Sequence, residues 1–129
     1  MKTMDREIIS QYTDLKREKK DIEEKISALD RQINAIEKHL FTLSEDEKRN
    51  LMIKKMLLGQ RKACLSALEL EIMVQTNEVE EFISHIEDSL IRRIIDYRVI
   101  EGKNWNDVAA KIGNTSVDSI KKMYYRFFE

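Results

Sequence analysis

The sequence contains no proline and only three glycines among its 129 residues. Tight turns between β-strands depend on these two residue types, because glycine accepts positive φ angles and proline presets a turn. Their scarcity excludes a β-sandwich, a barrel or a series of βαβ units. Since aliphatic side chains recur along the whole chain, the composition also differs from that of disordered segments. The sequence therefore predicts a folded, almost wholly helical protein.

Cysteine and long hydrophobic runs are equally scarce. The single cysteine, Cys64, cannot form an intramolecular disulfide, which suits a reducing compartment. No apolar run approaches the roughly 18 residues that a membrane span needs. The first residues, Met1 to Glu7, continue into a charged helix, unlike a signal peptide. We therefore expect a cytoplasmic protein that does not enter a membrane.

Neither sign of charge dominates, because the chain has 23 basic and 24 acidic residues and a net charge of −1. The chain as a whole is therefore not expected to attract nucleic acid. Residues 88–129 carry eight basic and six acidic side chains, whereas residues 1–87 carry fifteen and eighteen. Any basic surface must be local, and the C-terminal third is where the charge balance favours one.

The residue combinations that support catalysis or metal binding are missing from the sequence. His39 and His85 stand alone, and Cys64 has no histidine near it in the chain. No zinc-ligand spacing, phosphate-binding loop or nucleophile motif occurs. We therefore expect a protein that is not an enzyme and holds neither a metal nor a cofactor.

A heptad pattern begins near the N-terminus and predicts a helix over about residues 5–43. Its positions alternate in steps of four and three: Ile8, Tyr12, Leu15, Lys19, Ile22, Ile26, Leu29, Ile33, Ile36, Leu40 and Leu43. A helix this long and amphipathic needs a partner for its apolar seam.

A second, less regular seam lies further along the chain. Its positions are Leu65, Leu68, Ile72, Gln75, Val79, Phe82 and Ile86. Ser44 and Glu47 have the spacing of a capping box, which predicts a helix start between the two seams. Gly59 either ends a short helix over 45–58, ahead of another over 60–86, or is tolerated inside one longer helix.

Two arrangements of this N-terminal arm, residues 1–87, fit the pattern. The two seams can pack against each other as an antiparallel hairpin, or the first seam can pair with a second copy as a dimeric coiled coil. Both arrangements can also hold together in a multi-helix dimer. In a parallel dimer Lys25 would attract Asp30 of the other copy, but Glu18 would repel Glu23, so charge does not decide between them. The residues expected to carry oligomerisation are Leu15, Ile22, Ile26, Leu29, Ile33 and Ile36.

Residues 88–129 follow a different pattern. Asp88 is a good N-cap, and Gly102 and Gly113 each follow an amphipathic stretch as helix-ending residues do. A supporting helix, a short helix, a glycine turn and a last helix result, in the order of a helix-turn-helix. The predicted fold class is thus all-α: a helical arm followed by a helix-turn-helix module.

The last helix of this module carries short polar residues at its start and basic residues along its flank. Short polar side chains can reach base edges, while lysine, arginine and tyrosine can hold phosphates. Lys121 and Lys122 are also what an ordinary solvated helix face would carry. The candidate DNA-contacting residues are Asn114, Thr115, Ser116, Asp118, Ser119, Lys121, Lys122, Tyr125 and Arg126.

Several stretches of the module carry a family resemblance: Asp88, Arg98-Val-Ile-Glu-Gly102, Trp105-Asn-Asp-Val-Ala109, Ile112-Gly113 and Asn114-Thr-Ser-Val-Asp-Ser-Ile-Lys-Lys122. In them, residues 86–129 resemble the helix-turn-helix of sigma-factor region 4. The resemblance is closer to the small sigma-like transcription regulators of phages and prophages of low-GC Gram-positive bacteria. It implies a sequence-specific regulator that docks helix 116–127 in the major groove of double-stranded DNA, with RNA polymerase as an expected further contact.

The chain departs from this family pattern at one place. From Gly113 to Ile120 it is one residue longer than the usual sigma-type turn, so either Ser116 rather than Thr115 caps the last helix or the turn bulges. Nothing resembles sigma region 2, so the protein is not expected to melt a promoter alone. Two other functions stay open: a helical scaffold or adaptor without DNA binding, and a DNA-packaging recognition subunit, in which the DNA-binding part is usually N-terminal.

Overall fold

The structure, a computed structural model, describes residues 6–129, so most of the polar N-terminal stretch discussed above, Met1 to Asp5, lies outside the described residues. Helices are the only regular elements in this part of the chain, which confirms the predicted all-α fold. They are α1 (Arg6–Ser10), α2 (Tyr12–His39), α3 (Glu45–Ser84), α4 (Ser89–Ile95), α5 (Trp105–Ile112) and α6 (Val117–Phe127). A 3₁₀ turn, Leu40–Thr42, follows α2, and a π-helical turn, Asp96–Ile100, follows α4. Across residues 6–129 no helix has both the length and the apolar character to cross a membrane.

The long helices differ from the predicted ones in two places. The first helix is interrupted at Gln11 and ends at His39 instead of residue 43. Gly59 lies inside α3, which runs unbroken for 40 residues, so the predicted division into helices 45–58 and 60–86 is wrong. One glycine costs a helix only about 1 kcal/mol relative to alanine, which the neighbouring turns of a long packed helix can offset. The predicted start of α3 is confirmed, because the Glu47 amide donates to Ser44 Oγ at 3.4 Å.

The described chain divides into two compact units. The hairpin unit is residues 17–73, and the C-terminal unit combines residues 6–16 with residues 74–129. The boundary predicted between residues 87 and 88 is therefore displaced. Residues 6–16 and the last turns of α3 belong with the C-terminal helices because Ile9 and Val79, among others, are buried in the same core as Ile94.

In the hairpin unit, α2 and α3 run antiparallel. Asp30 Oδ1 pairs with Lys62 Nζ at 2.6 Å, and Glu37 Oε1 pairs with Lys55 Nζ at 2.9 Å. The two ion pairs are seven residues apart on each helix, and their order along α3 is the reverse of their order along α2, as an antiparallel arrangement requires. Of the arrangements considered for the N-terminal arm, the structure contains the antiparallel hairpin within one chain.

The residues expected to carry oligomerisation lie on the α2 side of that hairpin or just before it. Ile22 and Ile36 are buried, while Ile26, Leu29 and Ile33 are half-buried in the hairpin unit. Leu15 is half-buried and belongs to the C-terminal unit. Because α3 of the same chain occupies the neighbouring position, this seam is largely used within one chain.

The buried residues of α3, which we call the inner seam, are only partly those of the predicted second seam. Leu68 is 38% exposed and Gln75 is exposed, whereas Thr76 and Ile83, one position further along, are buried. In the first helical segment, Ile9 is likewise buried in place of the predicted Ile8. Prediction and structure agree at every seventh residue: Leu65, Ile72, Val79 and Ile86. A heptad repeat has two buried positions in every seven residues, and the apolar pattern leaves two neighbouring residues as candidates for the second one. Which of the two is buried depends on the direction in which the packing partner lies.

The core of the C-terminal unit is built mainly from α3, α4, α5 and α6. Asp88 caps α4 by accepting from the Ile91 amide at 3.0 Å, as predicted. Ile94 and Ile95 on α4, Val108 on α5 and Ile120 on α6 are completely buried. These four side chains hold the last three helices against one another and fix which side of α6 faces solvent.

Candidate nucleic-acid interface

The turn between α5 and α6 has an unusual backbone. α5 starts at its cap Asn104, whose Oδ1 accepts from the Asp107 amide at 2.8 Å, and ends at Gly113. Gly113 has φ 79° and ψ 150°, a conformation that is essentially restricted to glycine. Asn114 follows with φ 54°, in the left-handed region that asparagine tolerates. The two consecutive positive φ angles reverse the chain between the helices.

Ser116, rather than Thr115, caps α6. Its Oγ accepts from the Ser119 amide at 3.2 Å and donates to Ser119 Oγ at 2.9 Å. Thr115 Oγ1 instead donates back to the Gly113 carbonyl at 3.1 Å. The additional residue noted in the sequence therefore lies in the turn, and α6 begins at Val117.

α6 has one side in the core and one side in solvent. Ile120 and Tyr124 are buried, with Val117, Met123 and Phe127 half-buried beside them. The outer face of α6 consists of four exposed residues, which we name together here: Asp118, Lys122, Tyr125 and Arg126. The helix thus presents two cations, one anion and one aromatic ring along its solvent side.

Most of the predicted DNA-contacting residues are accessible. Asn114 and Ser116 are exposed in addition to the outer face of α6, while Thr115, Ser119 and Lys121 are half-buried. The hydroxyls of Ser116 and Ser119 form a hydrogen bond with each other, which holds both side chains at the start of the helix. Across residues 6–129, neither Lys122 nor Arg126 forms an ion pair with a carboxylate.

A residue that the sequence did not indicate also contacts this surface. The Arg6 guanidinium on α1 lies 5.3 Å from the centre of the Tyr125 ring, and Tyr125 remains 44% exposed. Tyr125 also lies 6.2 Å from the Trp105 ring. No local pattern could have predicted the Arg6 contact, since the two residues are far apart in the sequence.

Behind the outer face, a cation and two aromatic rings support α5 and α6. The Arg98 guanidinium lies 4.5 Å from the Trp105 ring centre, and its Nη1 donates to the Lys103 carbonyl at 3.0 Å. Trp105 and Tyr124 pack edge to face at 5.1 Å. Burial raises the pKa of the Tyr124 phenol, and the nearby Arg98 charge opposes that rise. Trp105 therefore serves packing rather than solvent-side recognition.

A cleft of about 840 Å³ opens between α1, the Gly102 loop and α6. Arg6 and Arg98 bring two positive charges to it, and Trp105 and Tyr125 bring two aromatic rings. In the part of the chain that the structure describes, no three histidine, cysteine or acidic side chains are grouped as a metal site would require.

Comparison of the chain with models of protein families, with curated proteins and with solved structures found no match. A functional assignment therefore rests on the residues and geometry of this chain.

Proposed function

We propose that the C-terminal unit binds double-stranded DNA through α6 and the turn before it, as a sequence-specific transcription regulator of the sigma-like phage type. The observation that carries this proposal is the exposure of Lys122 and Arg126, which have no carboxylate partner within residues 6–129. They lie on one side of a capped helix whose other side is locked into a core.

The dimensions of α6 suit the major groove. An α-helix with its side chains is about 10–12 Å across, which matches the width of about 12 Å of the major groove of B-DNA, and the eleven residues of α6 give it a length of about 16 Å. Lys122 and Arg126 lie one helical turn apart, so both can reach phosphates along one groove edge. Cations in such positions supply affinity that is independent of sequence.

Sequence specificity would come from the start of α6. Asn114 and Asp118 are exposed there, and asparagine pairs well with adenine while aspartate can accept from cytosine N4. Ser116 and Ser119 hold the helix start through their mutual hydrogen bond. The resemblance of residues 86–129 to sigma-like transcription regulators further implies that the DNA-bound protein would contact RNA polymerase.

The proposal is tested by selecting bound sequences from a random duplex pool, followed by titrations at several salt concentrations. We expect Lys122→Ala with Arg126→Ala to reduce the slope of log affinity against log salt by about two, because two phosphate contacts are lost. The matched control is Lys20→Ala with Lys25→Ala, which removes the same charge from exposed positions of α2. The control should leave the slope unchanged.

The specificity part has a separate readout. Asn114→Ala should relax the selected consensus at one base pair, at a cost of about 1–3 kcal/mol for the preferred base. Duplex binding that is equally strong in the Lys122, Arg126 double variant would contradict the proposal. So would the absence of any duplex binding by the wild-type chain at low salt, which would favour the scaffold or adaptor alternative.

A further inference from the structure

The outer side of α3 in the hairpin unit is strongly apolar. Six large side chains there are between 45% and 62% exposed: Met52, Ile53, Met56, Leu57, Leu70 and Met73. Monomeric proteins seldom expose so many large apolar side chains on one helix, and such patches usually mark interaction surfaces.

Three of these side chains, Ile53, Met56 and Leu70, belong to a second heptad pattern on α3. We name it the outer stripe; its positions advance in steps of three and four and are Ile53, Met56, Gln60, Ala63, Ala67 and Leu70. It lies on the side opposite Leu65 and Ile72, the buried residues of the inner seam. α3 therefore has one seam for its own hairpin and another that no element of the hairpin unit covers.

The outer stripe has large residues toward both ends and small residues near its centre. The large residues are Ile53, Met56 and Leu70, and the small ones are Ala63 and Ala67. When a second copy runs in the opposite direction, Met56 meets Leu70, with Ala63 near its own counterpart. Small central residues allow two helices to approach closely at their crossing point.

The charge along α3 changes sign at the same centre. After the acidic first turn of α3, Glu45 to Glu47, residues 48–62 contain six cations and no acidic residue, whereas residues 63–84 contain five glutamates and no lysine or arginine. Three of the six cations, Lys48, Lys55 and Lys62, already pair with carboxylates of the same chain. Antiparallel pairing of two copies therefore places each basic half against an acidic half, and parallel pairing would place like charges together. Lys54 and Glu71 are exposed beside the stripe, and neither forms an ion pair within the described residues.

We propose that the outer stripe binds a second copy of this chain, forming an antiparallel homodimer whose twofold axis passes near Ala63. The contact extends over residues 52–73, about 33 Å of helix. It differs from the dimeric coiled coil that the sequence left open as one alternative, because the α2 seam is used inside the hairpin. It is independent of DNA binding.

Sedimentation equilibrium over a range of protein concentrations tests the surface. We expect a dimer for the wild-type chain and a monomer for Met56→Glu with Leu70→Glu, with the dissociation constant raised by about a hundredfold or more as unpaired carboxylates enter an apolar contact. The control is Phe41→Glu, which puts the same charge on a side chain that is 90% exposed outside the stripe, and it should stay dimeric. Far-UV circular dichroism should show equal helix content in all three proteins.

Two outcomes overturn the surface assignment. One is a wild-type chain that stays monomeric at the highest concentration measured, and the other is a Met56, Leu70 double variant that dimerises as strongly as the wild type.

The direction of pairing has its own test, in a Cys64→Ser background that removes the only native thiol. Met56→Cys and Leu70→Cys are made as separate proteins and then mixed under mild oxidation. The antiparallel dimer predicts a disulfide between the two different variants and little within either one alone. Efficient disulfide formation by Met56→Cys with itself would establish parallel pairing and overturn the proposal.

Discussion

The hydroxyl of Tyr12 donates a hydrogen bond of 2.5 Å to Oε1 of Glu80, which joins the start of α2 to the last turns of α3 within the C-terminal unit. Tyr12 is only 2% exposed. Lys16 Nζ lies 3.4 Å from the same carboxylate oxygen of Glu80. Burial, together with the Glu80 carboxylate, raises the pKa of the Tyr12 phenol above its ordinary value, so the phenol stays protonated and remains a donor at neutral pH.

We predict that Tyr12→Phe lowers the free energy of unfolding by about 1–3 kcal/mol, because the substitution leaves Glu80 without its phenol donor. Urea unfolding of the two proteins measures the difference. Tyr125→Phe is the control, since Tyr125 is exposed, and its loss of a hydroxyl should cost less than about 0.5 kcal/mol. Equal effects at the two tyrosines would mean that the bond to Glu80 contributes nothing.

The neighbouring residues Ile8 and Ile9 provide a matched pair for the packing of α1. Ile9 is 1% exposed and Ile8 is 48% exposed. Ile9→Ala should destabilise the protein by about 2–4 kcal/mol because it leaves a cavity in the core. Ile8→Ala should cost less than about 1 kcal/mol. Thermal unfolding of both variants checks the prediction, and the reverse order would show that the seam follows Ile8 as the heptad pattern indicated.

The cap of α6 can be tested with two adjacent hydroxyl residues. Ser116→Ala removes the acceptor of the Ser119 amide and should destabilise the protein by about 1 kcal/mol. Thr115→Ala removes only a hydrogen bond to the Gly113 carbonyl at the surface and should cost clearly less. Chemical denaturation gives both values. A larger loss for Thr115→Ala would place the start of α6 one residue earlier.

Asp96 makes the stability of the C-terminal unit depend on pH. Burial, followed by the neighbouring Glu101 carboxyl, raises the pKa of Asp96 above its ordinary value of 3.8. Below that value both the folded and the unfolded chain hold the proton, so Asp96 has no effect on stability. As the pH rises, the unfolded chain loses the proton first, and the folded state carries a penalty that is complete above its own higher pKa.

Asp96→Asn cannot ionise and should therefore be more stable than the wild-type chain at neutral pH. The gain should shrink as the pH falls toward about 4, where the wild-type carboxyl becomes protonated in both states. Urea unfolding at several pH values between 4.5 and 7.5 measures this trend. A gain that stays constant with pH would attribute the effect to the shape of the side chain instead of its charge.

Much of the helical structure follows from local sequence. Capping residues at Ser44 and Asp88 begin helices as predicted, and Gly113 forms the turn before α6. These features depend on hydrogen bonds between residues a few positions apart. At Gly59 the sequence left two alternatives open, and the structure has the single longer helix, because the conformational cost of one glycine is small compared with what packing of the surrounding helix contributes.

The candidate site on α6 was predictable in outline. The order of helices and the exposed positions of Lys122 and Arg126 agree with the pattern of apolar residues, which marks the buried side of the helix. The choice of Ser116 as cap was left open, because both Ser116 and Thr115 carry suitable hydroxyls. The contact between Arg6 and Tyr125 had no local signal at all.

The sequence by itself determined that the chain is helical, where most helices begin, and that every seventh residue from Leu65 to Ile86 is buried, since these depend on local hydrogen bonding and on the spacing of apolar side chains. Only the tertiary structure decided that α3 of the same chain packs beside α2, that Ile9 is buried in place of Ile8, and that Thr76 and Ile83 complete the inner seam. The physical reason is that an amphipathic helix specifies the need for a partner and not its identity. The partner and its direction depend on contacts between residues that are distant in the chain.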